Sequence, residues 1–237
     1  METKKIDWQI VLLVCSLIII MIMGVRQSLG LFLDPISNFM GNGKEFFSFA
    51  IGVQAIIWGI LTFLLGILID KFGPQKVLAF GITAFASGIF LMSNPNSDFK
   101  LFSAATLMGF GLGGAGMATM VSVVGKVAPI NKRSLAMGLV AAAASFGQFA
   151  VIVPTMWMNK EFGWQTSLIV LASITISLLI LLPLLNTTNV TDTKKDEFKT
   201  TLKQTLMFSL KEKNYLLLIS GFFVCGFHVT FIALHLP

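Results

Sequence analysis

The stretch "IVLLVCSLIIIMIMGVRQSLGLFL", residues 10–33, decides the fold. A helix that crosses a bilayer needs about 20 mostly apolar residues, and this run exceeds that length with Arg26 as its one permanent charge. The basic start "METKK" gives it the outline of a secretory leader. No small-residue cleavage site follows, however, and the apolar run continues too far, so the segment is expected to be a retained first membrane helix. A guanidinium is charged at any cellular pH and is costly inside a bilayer. Its place in this run needs a reason.

Composition points the same way. Only 12% of the 237 residues are charged and 55% are apolar, against about 25% charged in soluble domains. The solvent of such a chain is lipid. The 22 Phe and 21 Gly agree, since glycine is frequent in membrane helices. The formal charge of +6 reads as loop Lys and Arg on the cytoplasmic side, with no nucleic-acid partner. Cys15 and Cys225 both lie in apolar runs and suggest no disulfide or redox role.

Six complete apolar runs follow one another, at about 9–34, 46–69, 76–94, 99–123, 134–158 and 164–185, and a seventh begins near Tyr215. The links between the first six, "GNGKE", "DKFGPQK", "NPNSD", "VAPINKR" and "NKEFGW", are short and rich in turn formers. Consecutive spans must therefore alternate in direction. Three parts are expected: a six-helix bundle over 1–185, a polar loop over 186–213, and the start of a second bundle over 214–237. In the loop, Phe198, Leu202, Leu206 and Leu210 recur at i+4 beside lysines, the pattern of an amphipathic helix lying on the membrane surface. With the N-terminus inside, 13 of the 17 basic residues fall on the cytoplasmic side. The positive-inside rule then predicts a multi-pass protein of the plasma or inner membrane with a cytoplasmic N-terminus. The sequons at Asn186 and Asn189 would lie in the cytoplasm and are discounted.

The glycine-rich "GFGLGGAG", residues 109–116, satisfies a dinucleotide-binding fingerprint by spacing. It lies inside an apolar run without the strand before it or the acidic residue about 20 positions on. It is read instead as a small-residue face for close helix packing, and no cofactor is expected. HExxH and GxSxG motifs are missing, as are paired acids within the first six spans, so an enzyme is not expected.

Between the second and third spans lies "GILIDKFGPQK", residues 66–76. It resembles the signature loop of the major facilitator superfamily in Gly66, Asp70, Lys71 and Gly73; the chain departs at Pro74 and Gln75, and only Lys76 remains of the closing basic pair. The stretches "RQSLGLFLDPI" (26–36), "INKRSLAMG" (130–138), "SFGQ" (145–148), "GW" (163–164) and "GFHVTFIALHLP" (226–237) look like the monocarboxylate-transporter and oxalate/formate-antiporter branch. The resemblance covers the chain but only the first half of a usual twelve-span transporter. It implies an all-α integral membrane fold, a six-helix N-terminal bundle plus part of a seventh helix. It also implies that the Asp70 loop steadies the inner gate against the other half.

Helix rise places the polar residues. At about 1.5 Å per residue, Arg26 lies about 10 Å below the outer end of its span, Gln54 about 12 Å and Gln148 about 15 Å, and His228 lies about 20 Å above the inner end of its own. A shared layer of this kind is what a central substrate cavity requires. Competing readings stand beside it. Arg26 can snorkel to the surface, the two glutamines can bind helix to helix, and His228 can be a packing residue. The common depth favours a cavity in which Arg26 binds a small organic anion, since guanidinium holds carboxylate in a bidentate fork. The expected function is secondary transport of a monocarboxylate or dicarboxylate by alternating access, as symporter or antiporter. A proton as coupling ion is left open, with His228 the group in this chain that would carry it. The alternative expectation is a half-transporter with no transport activity of its own.

Overall fold

A computed structural model describes residues 7–185 and 211–235, in two compact units divided after Val190. The described residues of the first unit form an all-helical bundle of six spans, each long and apolar enough to cross a membrane. The chain is a multi-pass membrane protein.

The first span begins at α1 (Trp8–Ser28), whose N-cap Asp7 accepts a hydrogen bond from the Gln9 amide at 3.0 Å. It tightens into a 3-10 turn at Leu29–Phe32 and continues as α2 (Leu33–Met40). It thus runs six residues past the expected end at 34, because no residue before Gly41 breaks it. The second span is α3 (Gly43–Phe72) and the third α4 (Pro74–Met92). The fourth is broken: α5 (Asp98–Ala115) gives way at Gly116, whose backbone is extended, to α6 (Met117–Val127). The fifth is α7 (Arg133–Phe162). The sixth is α8 (Trp164–Ser177), drawn out into a 3-10 helix at Leu178–Leu184. In the second unit, α9 (Lys213–His235) is the expected seventh helix. The amphipathic pattern from Phe198 to Leu210 lies outside the described residues.

Within the bundle, α1 packs on α7, α3 on α5, and α4 on both α5 and α8. Lipid tails are as apolar as the side chains, so close van der Waals contact must hold such helices together. Small residues supply it. On α5 the 109–116 stretch turns two edges to two neighbours. A Cβ at Gly111 would sit 2.6 Å from the backbone nitrogen of Phe85, and one at Gly114 would sit 2.8 Å from the Cα of Gly81, both on α4. On the other edge, a Cβ at Gly109 would sit 2.9 Å from the Gln54 carbonyl, and one at Gly113 would sit 2.8 Å from the Leu61 Cβ, both on α3. Phe32, Phe47 and Phe85 fill the interior, while Leu13, Phe49, Phe90 and Ile180 face outward.

The bundle is an internal repeat. Phe72-Gly73-Pro74-Gln75 and Phe162-Gly163-Trp164-Gln165 stand 90 residues apart, and α3 and α7 are each 30 residues long. Gly73 (φ +83, ψ 155) and Gly163 (φ +80, ψ 157) share one backbone conformation, which a residue with a Cβ adopts only under strain. Spans one to three therefore match spans four to six. Because each triplet holds an odd number of spans, the second is inverted relative to the first. Two of the pairings agree: α1 on α7 is the counterpart of α5 on α3, and α4 on α8 maps onto itself, whereas the close packing of α4 on α5 has only a slight counterpart between α1 and the sixth span.

Both ends of the bundle are pinned. On the end where the chain enters, the Lys132 ammonium lies 5.5 Å from the centre of the Trp8 ring. At the other end, Phe39 meets Trp164 edge to face at 5.5 Å, and Asn42 donates to the Asp98 carboxylate at 2.5 Å.

Candidate functional site

Arg26 lies in the last turn of α1, just before the first span tightens into its 3-10 turn. It is half-buried, and its guanidinium carbon sits 4.8 Å from the centre of the Trp58 ring on α3. No carboxylate pairs with it among the described residues. An ion pair that the described residues do hold, Lys44 to Asp34 at 2.6 Å, is exposed at the outer-loop end of the bundle. A ring face attracts a desolvated cation by about 2 kcal/mol or more. Trp58 is thus the group set against the guanidinium, a contact that attracts the cation without neutralising its charge.

Trp58 also reaches the break in the fourth span. A Cβ at Gly116 would lie 3.3 Å from the Trp58 indole nitrogen, so glycine leaves room for the indole beside the extended backbone. Gln54 stands one helical turn before Trp58 on the same face of α3. It is 2% exposed, and its Nε2 donor has no hydrogen-bond partner among the described residues. The Oε1 acceptor of Gln27, next to Arg26, is likewise buried and unpartnered. An unsatisfied buried polar group costs about 1–3 kcal/mol, so this layer is loaded with polar capacity that the protein itself does not use.

The other expected site residues are placed as follows. Gln148 is half-buried on α7, directly after Gly147, whose absent side chain lets α7 touch the backbone of Ile20 on α1. No hydrogen bond or ion pair joins Arg26, Gln54 and Gln148 to one another among the described residues. His228 lies on α9 in the second unit, where its side chain is exposed. In the signature loop, the Gly66 backbone is within α3, Gly73 makes the turn, and Lys76 is exposed. The side chains of Asp70 and Lys71 lie outside the described residues.

Two residues here are not apparent from sequence patterns alone. Trp58 is one: a lone tryptophan in an apolar run is ordinary, and the signal that singles it out is the 90-residue repeat, in which it is the counterpart of Gln148. The other is Gln75, which stands where the family's basic pair would begin. Its Nε2 donates to the backbone carbonyls of Leu182 (3.2 Å) and Leu185 (2.6 Å), tying the start of the third span to the end of the sixth.

The chain belongs to the Major Facilitator Superfamily, whose family model matches residues 13–237. The relatives it matches within that family bear the names of transporters. It is similar to an agnestins efflux protein of Paecilomyces divaricatus, at 27% identity over 74% of this chain and 38% of the relative. It is also similar to an uncharacterized MFS-type transporter of Bacillus subtilis, at 24% identity over 89% of this chain and 52% of the relative. A probable 4-methylmuconolactone transporter of Cupriavidus pinatubonensis is 31% identical over 43% of this chain and 24% of its own length. The chain thus spans about half the length of these curated relatives, or less.

Proposed function

We propose that this chain forms the substrate-binding N-terminal bundle of a secondary transporter for small organic carboxylates. Its N-terminus is cytoplasmic, and it works by alternating access against a second bundle. The reading rests on Arg26, a permanent cation within a span, stacked on Trp58 and without a carboxylate partner among the described residues. A cation held this way in a low-dielectric layer pairs best with an anion, and its fork fits carboxylate. The unpartnered donor of Gln54 and the half-buried amide of Gln148 are assigned to the remainder of the ligand. The likeness of the sequence to the monocarboxylate and oxalate/formate branch supports the same substrate class. By the same resemblance, Asp70 is assigned to the inner gate.

A second reading, a half-transporter inactive on its own, draws on the second and fifth spans. Of the six spans they have the smallest buried shares of their most apolar stretches, 22% and 28%, and present Phe46, Ile60, Phe146 and Trp157 outward. Those faces suit a covering bundle.

Uptake of radiolabelled lactate, formate and oxalate into proteoliposomes separates the two. The chain alone is compared with the chain extended to twelve spans. In the extended form, uptake is expected to be saturable. Arg26→Lys weakens it and Arg26→Gln nearly abolishes it, a loss of about 2–5 kcal/mol in affinity. A snorkelling Arg26 would instead tolerate lysine freely. Full activity of both variants at normal membrane levels would end the carboxylate reading.

A further inference from the structure

We infer that Trp58 is the positioning residue of Arg26: its ring holds the guanidinium by the face and leaves the in-plane N–H fork free for a carboxylate. The inference rests on the anion-binding reading of Arg26.

A guanidinium in a low-dielectric layer can be held in three ways. A protein carboxylate would neutralise it and occupy the fork, competing directly with an anionic substrate. Backbone carbonyls would consume the same N–H donors. An aromatic face does neither, because it meets the cation through the π-system. The structure uses the third arrangement, with 4.8 Å between the guanidinium carbon and the ring centre. Of the aromatic side chains, tryptophan binds cations best.

The ring is itself held. The space at Gly116 seats the indole nitrogen against the break between α5 and α6. One turn away, Gln54 is packed on Gly109 through its backbone carbonyl, which fixes this part of α3 against α5. Arg26 thus has a rigid platform on a neighbouring span, and its donors point at no acid among the described residues. A site built this way keeps its positive charge in the resting state.

Equilibrium binding of radiolabelled lactate, oxalate and benzoate to the whole chain in lipid nanodiscs tests this. The parent is compared with Arg26→Gln, Trp58→Tyr, Trp58→Phe and Trp58→Met, and the melting temperature of each variant is recorded. At least one probe is expected to bind the parent saturably and to be lost in Arg26→Gln. Affinity should then fall in the order Trp, Tyr, Phe, Met, with the Met variant weaker by about tenfold or more, the measure of a lost desolvated cation–π contact. This order should not follow melting temperature. Parent-like binding by Trp58→Met alongside loss in Arg26→Gln would overturn the positioning role and leave the anion site standing. Affinities that fall only in step with thermal stability would also overturn it. Failure of all three probes to bind the parent would overturn both readings.

Discussion

Gly24 of α1 and Gly147 of α7 meet at a crossing with no room for a side chain: a Cβ on Gly24 would lie 2.5 Å from the Gly147 carbonyl oxygen, and one on Gly147 would overlap the backbone of Ile20. This contact sets the separation of the first and fifth spans beside Gln148. Gly147→Val is expected to destabilise the bundle by about 1–3 kcal/mol or more, the range for overpacking a tight core. Gly138→Ala, on the same helix with open space around it, should be neutral or gain up to about 1 kcal/mol from helix propensity. Thermal unfolding in nanodiscs compares them, and equal melting temperatures would show that the crossing is not tight.

Gln54 separates two roles by opposite signs. If its amide serves as helix glue, Gln54→Leu must lower stability. If its donor is reserved for a ligand, the leucine removes a buried unsatisfied group, and stability should hold or rise by about 1 kcal/mol while carboxylate affinity falls. Melting and binding measured on the same sample decide the matter. A less stable variant with unchanged affinity would remove Gln54 from the site.

Gln75 offers a control within the repeat. Its two hydrogen bonds to Leu182 and Leu185 are worth about 0.5–1.5 kcal/mol each, so Gln75→Leu should cost about 1–3 kcal/mol and loosen the end of the sixth span. Its counterpart Gln165 is exposed, and Gln165→Leu should have little effect. Limited proteolysis near Leu185 alongside melting curves reads both. Indistinguishable variants would mean that the two carbonyls need no side-chain donor.

Orientation is testable on exposed loops. With Cys15 and Cys225 replaced by alanine, a cysteine at Asn96 should react with an impermeant thiol reagent added outside intact cells. One at Ile130 should react only after permeabilisation. The opposite pattern would invert the proposed topology and with it every depth estimated for the site.

The six spans were legible because length and apolar content alone define a helix that must satisfy its own backbone in lipid. Their ends were less so. The first span was expected to stop at 34 and reaches Met40, since hydropathy falls before the helix has any reason to break. The glycines from 109 to 114 do pack helices closely, as the sequence suggests, but Gly116 interrupts its helix. Composition does not separate a glycine that admits a neighbour from one that ends a turn. Arg26 stands out in the sequence because charge is rare in such a run. Trp58 was passed over because its importance lies in what stacks on it, a contact between spans that hydropathy does not record and to which the 90-residue repeat alone gives a sequence signal.

The repeat has a consequence for the kind of ligand that fits. Positions 26 and 116 are counterparts, and the same is true of 58 and 148. A second arginine at 116 would crowd a like charge onto the same ring in a poorly screened layer. The inverted copy instead carries a glycine there, and an amide where the first copy carries an indole. A scaffold with near two-fold symmetry thereby becomes chemically lopsided, cationic and aromatic on one flank, uncharged and polar on the other. If these residues line one cavity, as the proposed function has it, that cavity would discriminate head from tail, and an ion with one charged end would enter it in a single orientation.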